Sequence, residues 1–406
     1  MARKPITVVG AGFSGLTTAY LLTKAGREVR IFEKTARAGG LIRTTRTEHG
    51  LVETAANGLL NSARLEAMSD DIGVPLLSTR ADARKRFIYR GRPRQLPLSL
   101  SEALRIPVGL IANAAHLRPQ PLETIAVWGA RVPGKGATEF LLSPALGGIY
   151  AGDPNRLSAS LIFGRANLPD HLKTYRPQKA RARGTVAPPN GMQQLIDGLV
   201  DYLRAKRVPI KFSEVLSSNG NDPTVVCLSA SAAAEYLANA SPDLAQELAG
   251  VEMLSLLTAT CFFQQEAASL KGFGCLFPQG QGFRARGVLF NDCIFDGRGP
   301  AHSETWIFGG ALDRDVVDLN DEEITRTILA DRVRFYRRQD SPLAVHIKRW
   351  PNTLPHYSVD LEKTLVKLPE PPPNVALVGN YLGRIGLAKI FERAAYVVDN
   401  IVRNWD

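Results

Sequence analysis

Between Ile6 and Gly40 the chain reads ITVVGAGFSGLTTAYLLTKAGREVRIFEKTARAGG. The β-branched run Ile6–Val9 predicts a buried strand. The turn Gly10-Ala11-Gly12-Phe13-Ser14-Gly15 then leads into a helix that carries Leu16, Ala19, Tyr20 and Leu22 near its sheet-facing stripe. Each glycine in a G-x-G-x-x-G turn has its own physical use. Gly10 allows the tight turn, Gly12 lets a pyrophosphate approach bare backbone, and Gly15 lets helix and strand pack closely. Unpaired N–H groups and the positive end of the helix dipole then face the anion. The segment EVRIFEK supplies a second strand ending at Glu33, where an acid can take a ribose hydroxyl. Strand, glycine turn, helix, strand and acid together predict a dinucleotide site in a parallel α/β unit. The bland alternative is a glycine-rich turn used only for packing.

Beyond Glu33 and Lys34 come Arg37, Gly39 and Gly40. A loop with one cation and two glycines can return beneath a pyrophosphate, which a simple nicotinamide domain does not need. This Glu-x-x-x-Arg-x-Gly-Gly extension resembles the FAD-binding start of the flavin amine oxidase and protoporphyrinogen oxidase superfamily. The resemblance implies FAD as cofactor.

At 406 residues the chain can bury two sizeable cores. It holds no run of eighteen apolar residues, so no spanning helix is expected. MARKPITVVG enters the first strand within a few residues, which leaves no room for a signal peptide, and a cytoplasmic location is expected. Cys227, Cys261, Cys275 and Cys293 form no CxxC pair and lie in or beside apolar stretches, as buried thiols do. The six histidines show no HExxH-like spacing, and no metal site is expected. The net charge is +11, and from Arg80 to Arg118 nine Lys or Arg stand against Asp82 and Glu102. Such a region is a solvated basic face, a seat for a polyanionic substrate, or a surface for peripheral contact with anionic lipid. It lacks an RNA-binding motif, and nucleic acid is not expected.

The pattern along the chain predicts an α/β fold: a split Rossmann-like FAD-binding domain interleaved with a substrate domain of mixed sheet and helices. Residues 1–76 form the first part of the FAD-binding domain. Residues 77–185, richer in Pro and Arg, form a helical region facing substrate or membrane. Residues 186–240 resume the FAD-binding domain, 241–370 supply the sheet and helix of the substrate domain, and 371–406 close the FAD-binding domain. RFIYRGRPRQLP reads as strand, turn, strand, and SEALRIPVGLIANAAHL as an amphipathic helix interrupted at Pro107. In the helix after Met192, Leu195, Leu199, Tyr202 and Leu203 share one face, and PIKFSEVLS reads as the strand that follows. A later helix begins at Asn320-Asp321-Glu322-Glu323, an N-cap with acids in the first turn. Its far end is loaded with Arg332, Arg334, Arg337 and Arg338, as the helix dipole prefers.

The last stretch, NVALVGNYLGRIGLAKIF, is a strand, a glycine turn and a helix. Gly379, Asn380, Ile385, Gly386 and Leu387 would aim that helix start at the flavin ring, where N–H groups stabilise negative charge on the reduced ring. A second packing turn is the alternative. GGIYAGDPNRLS, NGMQQLIDGL, RWPNTLPHY and GNYLGRIGL, in this order, are similar to segments of the protoporphyrinogen and coproporphyrinogen oxidases. GGIYAGDPNRLS is the most distinctive of them, and KRFIYRGRPRQLP resembles that family's basic strand pair. The resemblance implies that Arg86 binds a substrate propionate, with Lys85 or Arg90 as helpers. It also implies that the backbone at Val215, in the strand after the Met192 helix, lies near adenine, and that Ala56 and Asn57 line the flavin. Where the family has Gly-Pro-Asn after the acid matching Glu53, this chain has Ala55-Ala56-Asn57, which reduces local backbone freedom. The chain is also somewhat short for the family.

A porphyrinogen oxidase needs a hydride acceptor, a grip on carboxylates and exclusion of water. It needs no catalytic side chain, and none is expected here. Molecular oxygen is the acceptor that the resemblance implies. An amine oxidase and a carotenoid-type desaturase of the same fold remain open, as does an FAD-binding module without turnover. Against the amine oxidase stands Gly379-Asn380, where those enzymes have Gly-Glu.

Overall fold

The computed structural model describes residues 4–217, 222–383 and 385–405. Its strands form two principal sheets. The first is wholly parallel, in the order Ile210–Phe212, Val29–Glu33, Ile6–Val9, Thr224–Val226, Val375–Leu377. These strands come from widely separated parts of the chain, as the split α/β reading expects. Parallel strands joined by helical crossovers are covered on both faces, so they read as continuous apolar runs; all four residues of Ile6–Val9 are buried. On one face Val8, Ile31 and Val225 join a core with Leu16, Leu199 and Val397 from the helices Phe13–Lys24, Gln193–Ala205 and Leu387–Asn404. On the other, Val226 and Leu377 pack with Ala230, Leu237 and Leu244. Tyr202 is half-buried and meets Tyr20 edge to face at 5.2 Å.

The second sheet is mixed, in the order Ala344–Pro355, Met253–Phe263, His302–Gly309, Gly287–Phe290, Gly274–Leu276, Arg86–Tyr89, Pro93–Arg94. RFIYRGRPRQLP forms the expected strand pair at its edge. One face, with Phe87, Tyr89, Trp306 and Phe308, is sealed by Ile324, Ile328 and Phe335 of the helix Asp321–Tyr336. That helix has the expected N-cap: Asn320 accepts from the Glu323 N–H, and Glu323 reaches back to the Asn320 N–H. All four cysteines are buried and free.

Three local expectations change. The helix Leu100–Ala112 runs through Pro107 without interruption. A proline removes one helical N–H, and here Pro107 and Ala103, whose carbonyl is freed, are both exposed, so water can take the lost bond. PIKFSEVLS is a strand only over Ile210–Phe212. Val215 therefore lies beyond the strand, because the sheet edge ends where its partner strand ends at Glu33. Arg332 does not serve the helix dipole. It is buried, donates to Glu304 at 3.1 Å and pairs with Asp340, with Phe263 under its guanidinium at 3.8 Å. Glu304 also accepts from Trp306 at 3.0 Å and meets His302 Nε2 at 3.0 Å, and His302 Nδ1 meets Asp292 at 3.0 Å.

Candidate functional site: an open glycine cradle

The strand Ile6–Val9 ends at Gly10, whose φ of +102° only glycine adopts freely. A Cβ on Gly15 would lie 1.8 Å from the Gly10 carbonyl oxygen, so helix and strand touch backbone to backbone. Gly12 differs. A Cβ there would meet nothing nearer than Gly40 Cα at 3.9 Å, so the space above the helix start is open. The Gly39 N–H donates to the Ala11 carbonyl at 2.8 Å, which brings the second glycine pair alongside the first. Phe13 is a core residue, edge-on to Phe391, and Ser14 is half-buried on the first turn.

The Glu33 carboxylate is held at the end of its strand. One oxygen accepts from the Ala11 N–H at 2.8 Å, and the other from the Thr35 N–H at 2.9 Å and the Thr35 hydroxyl at 2.7 Å. Lys34 is exposed beside it. The Ser213 and Glu214 N–H groups bond the Thr35 and Glu33 carbonyls, so Val215, 83 % exposed, follows directly at the Glu33 end of the sheet. Arg37 folds back on its own loop. It donates to the carbonyls of Ala38, Gly40 and Ile42 at 3.0, 2.7 and 3.1 Å, and burial, then Arg43, lower its pKa. Its guanidinium shapes the Gly39-Gly40 turn.

The helix Leu387–Asn404 opens in the same way as the helix Phe13–Lys24. Each has a glycine N-cap, Gly386 and Gly12, and no side chain bonding its first N–H groups. A Cβ on Gly386 (φ +90°) would meet no atom within 4 Å. By contrast Ser62, Ser99, Ser229, Asn320 and Ser358 cap their own helices. The helix Phe13–Lys24 thus keeps uncapped N–H groups beside open space, and the helix Leu387–Asn404 starts on a glycine with no side-chain cap, which suits a ligand bearing oxyanions. Gly379 is buried against the Tyr381 ring, and the Asn380 carbonyl accepts from the Tyr357 hydroxyl. Ile385 and Leu387 are half-buried.

The wall at Ala55–Asn57 hangs from the mixed sheet. The Thr54 carbonyl accepts from Trp350 Nε1 at 2.7 Å and from the Thr258 hydroxyl at 3.1 Å, while the Thr54 hydroxyl bonds the Leu41 and Arg43 carbonyls. Neither Ala55 nor Ala56 has a positive φ, so alanine there carries no backbone strain. Ala56 packs on the core, and Asn57 is half-buried. Below the wall, Glu53 and Arg298 form a buried ion pair at 3.2 Å. Glu53 also accepts from the Met192 N–H and the Thr44 hydroxyl, and burial raises its pKa and lowers that of Arg298. Sequence reasoning missed Thr54, Thr258, Arg298 and Trp350. Only Trp350 carried a signal, its place in RWPNTLPHY.

Strand register decides which face Arg86 occupies. Arg86 is paired with Gly274, then Leu289, Thr305 and Thr260 across the sheet; Ile88 lies in the row of Leu276, Gly287, Ile307 and Thr258. Arg86 therefore shares a face with Thr258, the residue that holds the Thr54 wall. Its guanidinium lies over Phe273 at 4.6 Å, and it has no ion pair among the described residues. Lys85 is exposed next to it. Arg90 is not available as a helper: it pairs with Glu102 at 2.6 Å, bonds the Pro97 carbonyl and lies over Phe140 at 3.8 Å. The distinctive GGIYAGDPNRLS is largely a clamp. Arg156 pairs with Glu252 at 2.8 Å and Asp360 at 3.4 Å, and the Ser158 N–H bonds the Tyr357 carbonyl.

The family model described as flavin containing amine oxidoreductase matches residues 13–388. Protoporphyrinogen oxidase 2 of Arabidopsis thaliana is 23% identical, over 99% of this chain and 94% of its own. Coproporphyrinogen III oxidase of Mycobacterium bovis is 24% identical over 100% of this chain and 99% of its own. A solved structure, a candidate protoporphyrinogen oxidase from Exiguobacterium sp. 255-15, matches with a TM-score of 0.79 at 20% identity, covering 99% of both chains. The open glycine cradle and this match over most of the chain agree, and the protein belongs to the flavin-containing amine oxidoreductase family as an FAD-dependent oxidoreductase.

Proposed function

We propose that the protein oxidises a porphyrinogen, protoporphyrinogen IX or coproporphyrinogen III, to the porphyrin, with molecular oxygen as terminal acceptor. The observation that carries this reading is Arg86: a cation without an acidic partner among the described residues, on the sheet face that holds the Ala55–Asn57 wall. A propionate is the complementary group, and an amine substrate would be repelled there. The names of the relatives point the same way.

In this reading the Phe13, Ser14 and Gly15 N–H groups, beside the bare backbone of Gly10 and Gly12, hold the pyrophosphate, together with Gly39 and Gly40 on the loop shaped by Arg37. Glu33 holds a ribose, with Lys34 beside it, and Val215 borders adenine. Ala56, Asn57, Gly379, Asn380, Ile385, Gly386 and Leu387 surround the flavin end. When bound, FAD supplies the two-electron acceptor for the hydride. Arg86 anchors a carboxylate so that the macrocycle face is presented to that end. Thr258 and Trp350 fix the wall through the Thr54 carbonyl. Each round removes a hydride from a bridging carbon and a proton from a pyrrole nitrogen. Three rounds convert porphyrinogen to porphyrin, and three oxygen molecules take up the six hydrogens as peroxide. The five-segment division of the chain into FAD-binding and substrate regions belongs to this proposal. So does peripheral contact of the Arg80–Arg118 region with anionic membrane.

Anaerobic titration tests it. The purified yellow protein should be bleached by one or both porphyrinogens, and denaturation should release FAD into the supernatant. Bleaching by amines alone, or by no candidate, overturns the reading, and a flavin that precipitates with the protein contradicts the non-covalent site.

A further inference from the structure

Pro144 and Gly147, on one side of the helix Ser143–Tyr150, border a cavity of about 420 Å³. Ala126, Ala130, Phe277 and Leu312 line an apolar part of the rest, and Thr138, Ser143, Asn155 and Gln279 a polar part. No residue of the glycine cradle, the Thr54–Asn57 wall or the Arg86 position borders it. The volume falls in the range of ordinary small-molecule sites.

Arg286 opens into this space. Its Nε donates to the Gly309 carbonyl and its Nη2 to the Ala151 carbonyl at 3.0 Å. Both acceptors are uncharged. Nη1 has no partner among the described residues, and it lies 3.3 Å from where a Cβ on Gly147 would stand. The nearby carboxylates are engaged elsewhere. Asp313 is bidentate to Arg284 at 3.1 and 3.0 Å, and Asp153 accepts the Asn155 backbone and side-chain amides at 2.9 and 3.0 Å. The other charged residues lining the cavity, Lys135 and Glu139, carry one charge of each sign, and neither pairs with Arg286 among the described residues. Burial lowers the Arg286 pKa to about 10, which leaves it charged at neutral pH. A half-buried guanidinium without a counter-charge is a group that a bound anion would stabilise.

We propose that this cavity is a second ligand site, taking a small organic carboxylate with its head on Arg286 Nη1 and its apolar body among Ala126, Ala130, Pro144, Phe277 and Leu312. The site does not depend on the porphyrinogen reading, since none of the residues given a role in that reading lines it.

Calorimetry on the FAD-loaded enzyme tests it, with hexanoate as the probe and 1-hexanol as the uncharged match. Hexanoate should bind saturably at one site, and hexanol at least roughly tenfold more weakly, as loss of a charge-assisted bond implies. Arg286→Gln should lose the hexanoate preference. Because Arg286 also ties Ala151 to Gly309, a second variant leaves it in place. Ala130→Trp should fill the cavity and abolish hexanoate binding while flavin content and melting temperature hold. Equal binding of hexanoate and hexanol, or unchanged hexanoate affinity in Ala130→Trp, overturns the proposal. Binding of inorganic phosphate but not hexanoate overturns the carboxylate assignment.

Discussion

Gly12 and Gly15 belong to one motif and face different neighbours. Gly15→Ala places a methyl 1.8 Å from the Gly10 oxygen, which only separation of helix from strand can relieve. We expect little folded Gly15→Ala protein, with a melting temperature many degrees lower. Gly12→Ala meets no protein atom within 3.8 Å and fits the φ of −70°. It should fold and melt like the wild-type apoprotein, yet bind FAD at least tenfold more weakly, about 1.4 kcal/mol. Flavin-to-protein ratios and melting curves of the two variants distinguish a packing glycine from a ligand-facing one. If both keep full flavin, the cradle is not the cofactor site. Arg86→Ala makes a different prediction. A charge-assisted bond to a carboxylate contributes about 1.5–3 kcal/mol. Its loss should raise KM for porphyrinogen roughly ten- to a hundredfold, with kcat and bound FAD unchanged. Steady-state oxidation with flavin quantitation checks it. Unchanged kinetics removes Arg86 from the site, and loss of FAD makes its role structural.

The mixed sheet and its covering helix are joined by a chain of buried charges. His302 lies between Asp292 and Glu304, and Arg332 of the helix Asp321–Tyr336 binds the same Glu304, with Tyr336 beside it. Burial alone would lower the His302 pKa, but the two carboxylates outweigh it and raise it to about 9. Unfolded, the residue returns to about 6.5. The stability that protonated His302 contributes is therefore complete below pH ~6.5 and is lost as pH rises through about 9. That difference corresponds to on the order of 3 kcal/mol. Urea unfolding at pH ~6, ~7.5 and ~9.5 should show this decline in the wild type and little of it in His302→Gln. A wild type equally stable at the two ends would mean that His302 is neutral in the fold.

Across the whole molecule, the helix Leu100–Ala112 buries none of its residues. Leu100, Leu104, Val108 and Ile111 are 86%, 68%, 63% and 76% exposed, at the spacing of one helical face. Arg92, Arg94 and Arg105 are nearby in sequence, and no helix among the described residues is long and apolar enough to cross a membrane. An amphipathic helix beside cations suits the surface of an anionic bilayer. The protein should float with anionic liposomes at low salt, and the bound fraction should fall at high salt. Leu104→Glu with Val108→Glu should abolish binding without changing flavin content. Equal flotation with neutral liposomes at high salt would contradict the electrostatic part.

The glycine cradle was legible in the sequence because its constraints are local. A positive φ at Gly10, a bare helix start at Gly12 and an acid at the end of the next strand are set by neighbouring residues. The strand–turn–strand at Arg86 and the capped helix at Asn320 were legible for the same reason. Partners far apart in sequence were decided by the tertiary structure. Arg90 and Arg86 are both cations on one strand pair; only packing assigned the first to Glu102 and left the second free. Arg332 read as a cation serving the helix dipole until the sheet placed Glu304 beneath it. Thr54, Thr258 and Trp350 carry no local mark of their shared task, which exists only once the strands pair in register. Backbone geometry is written within a few residues, whereas charge pairing and burial depend on which surfaces meet when the chain closes.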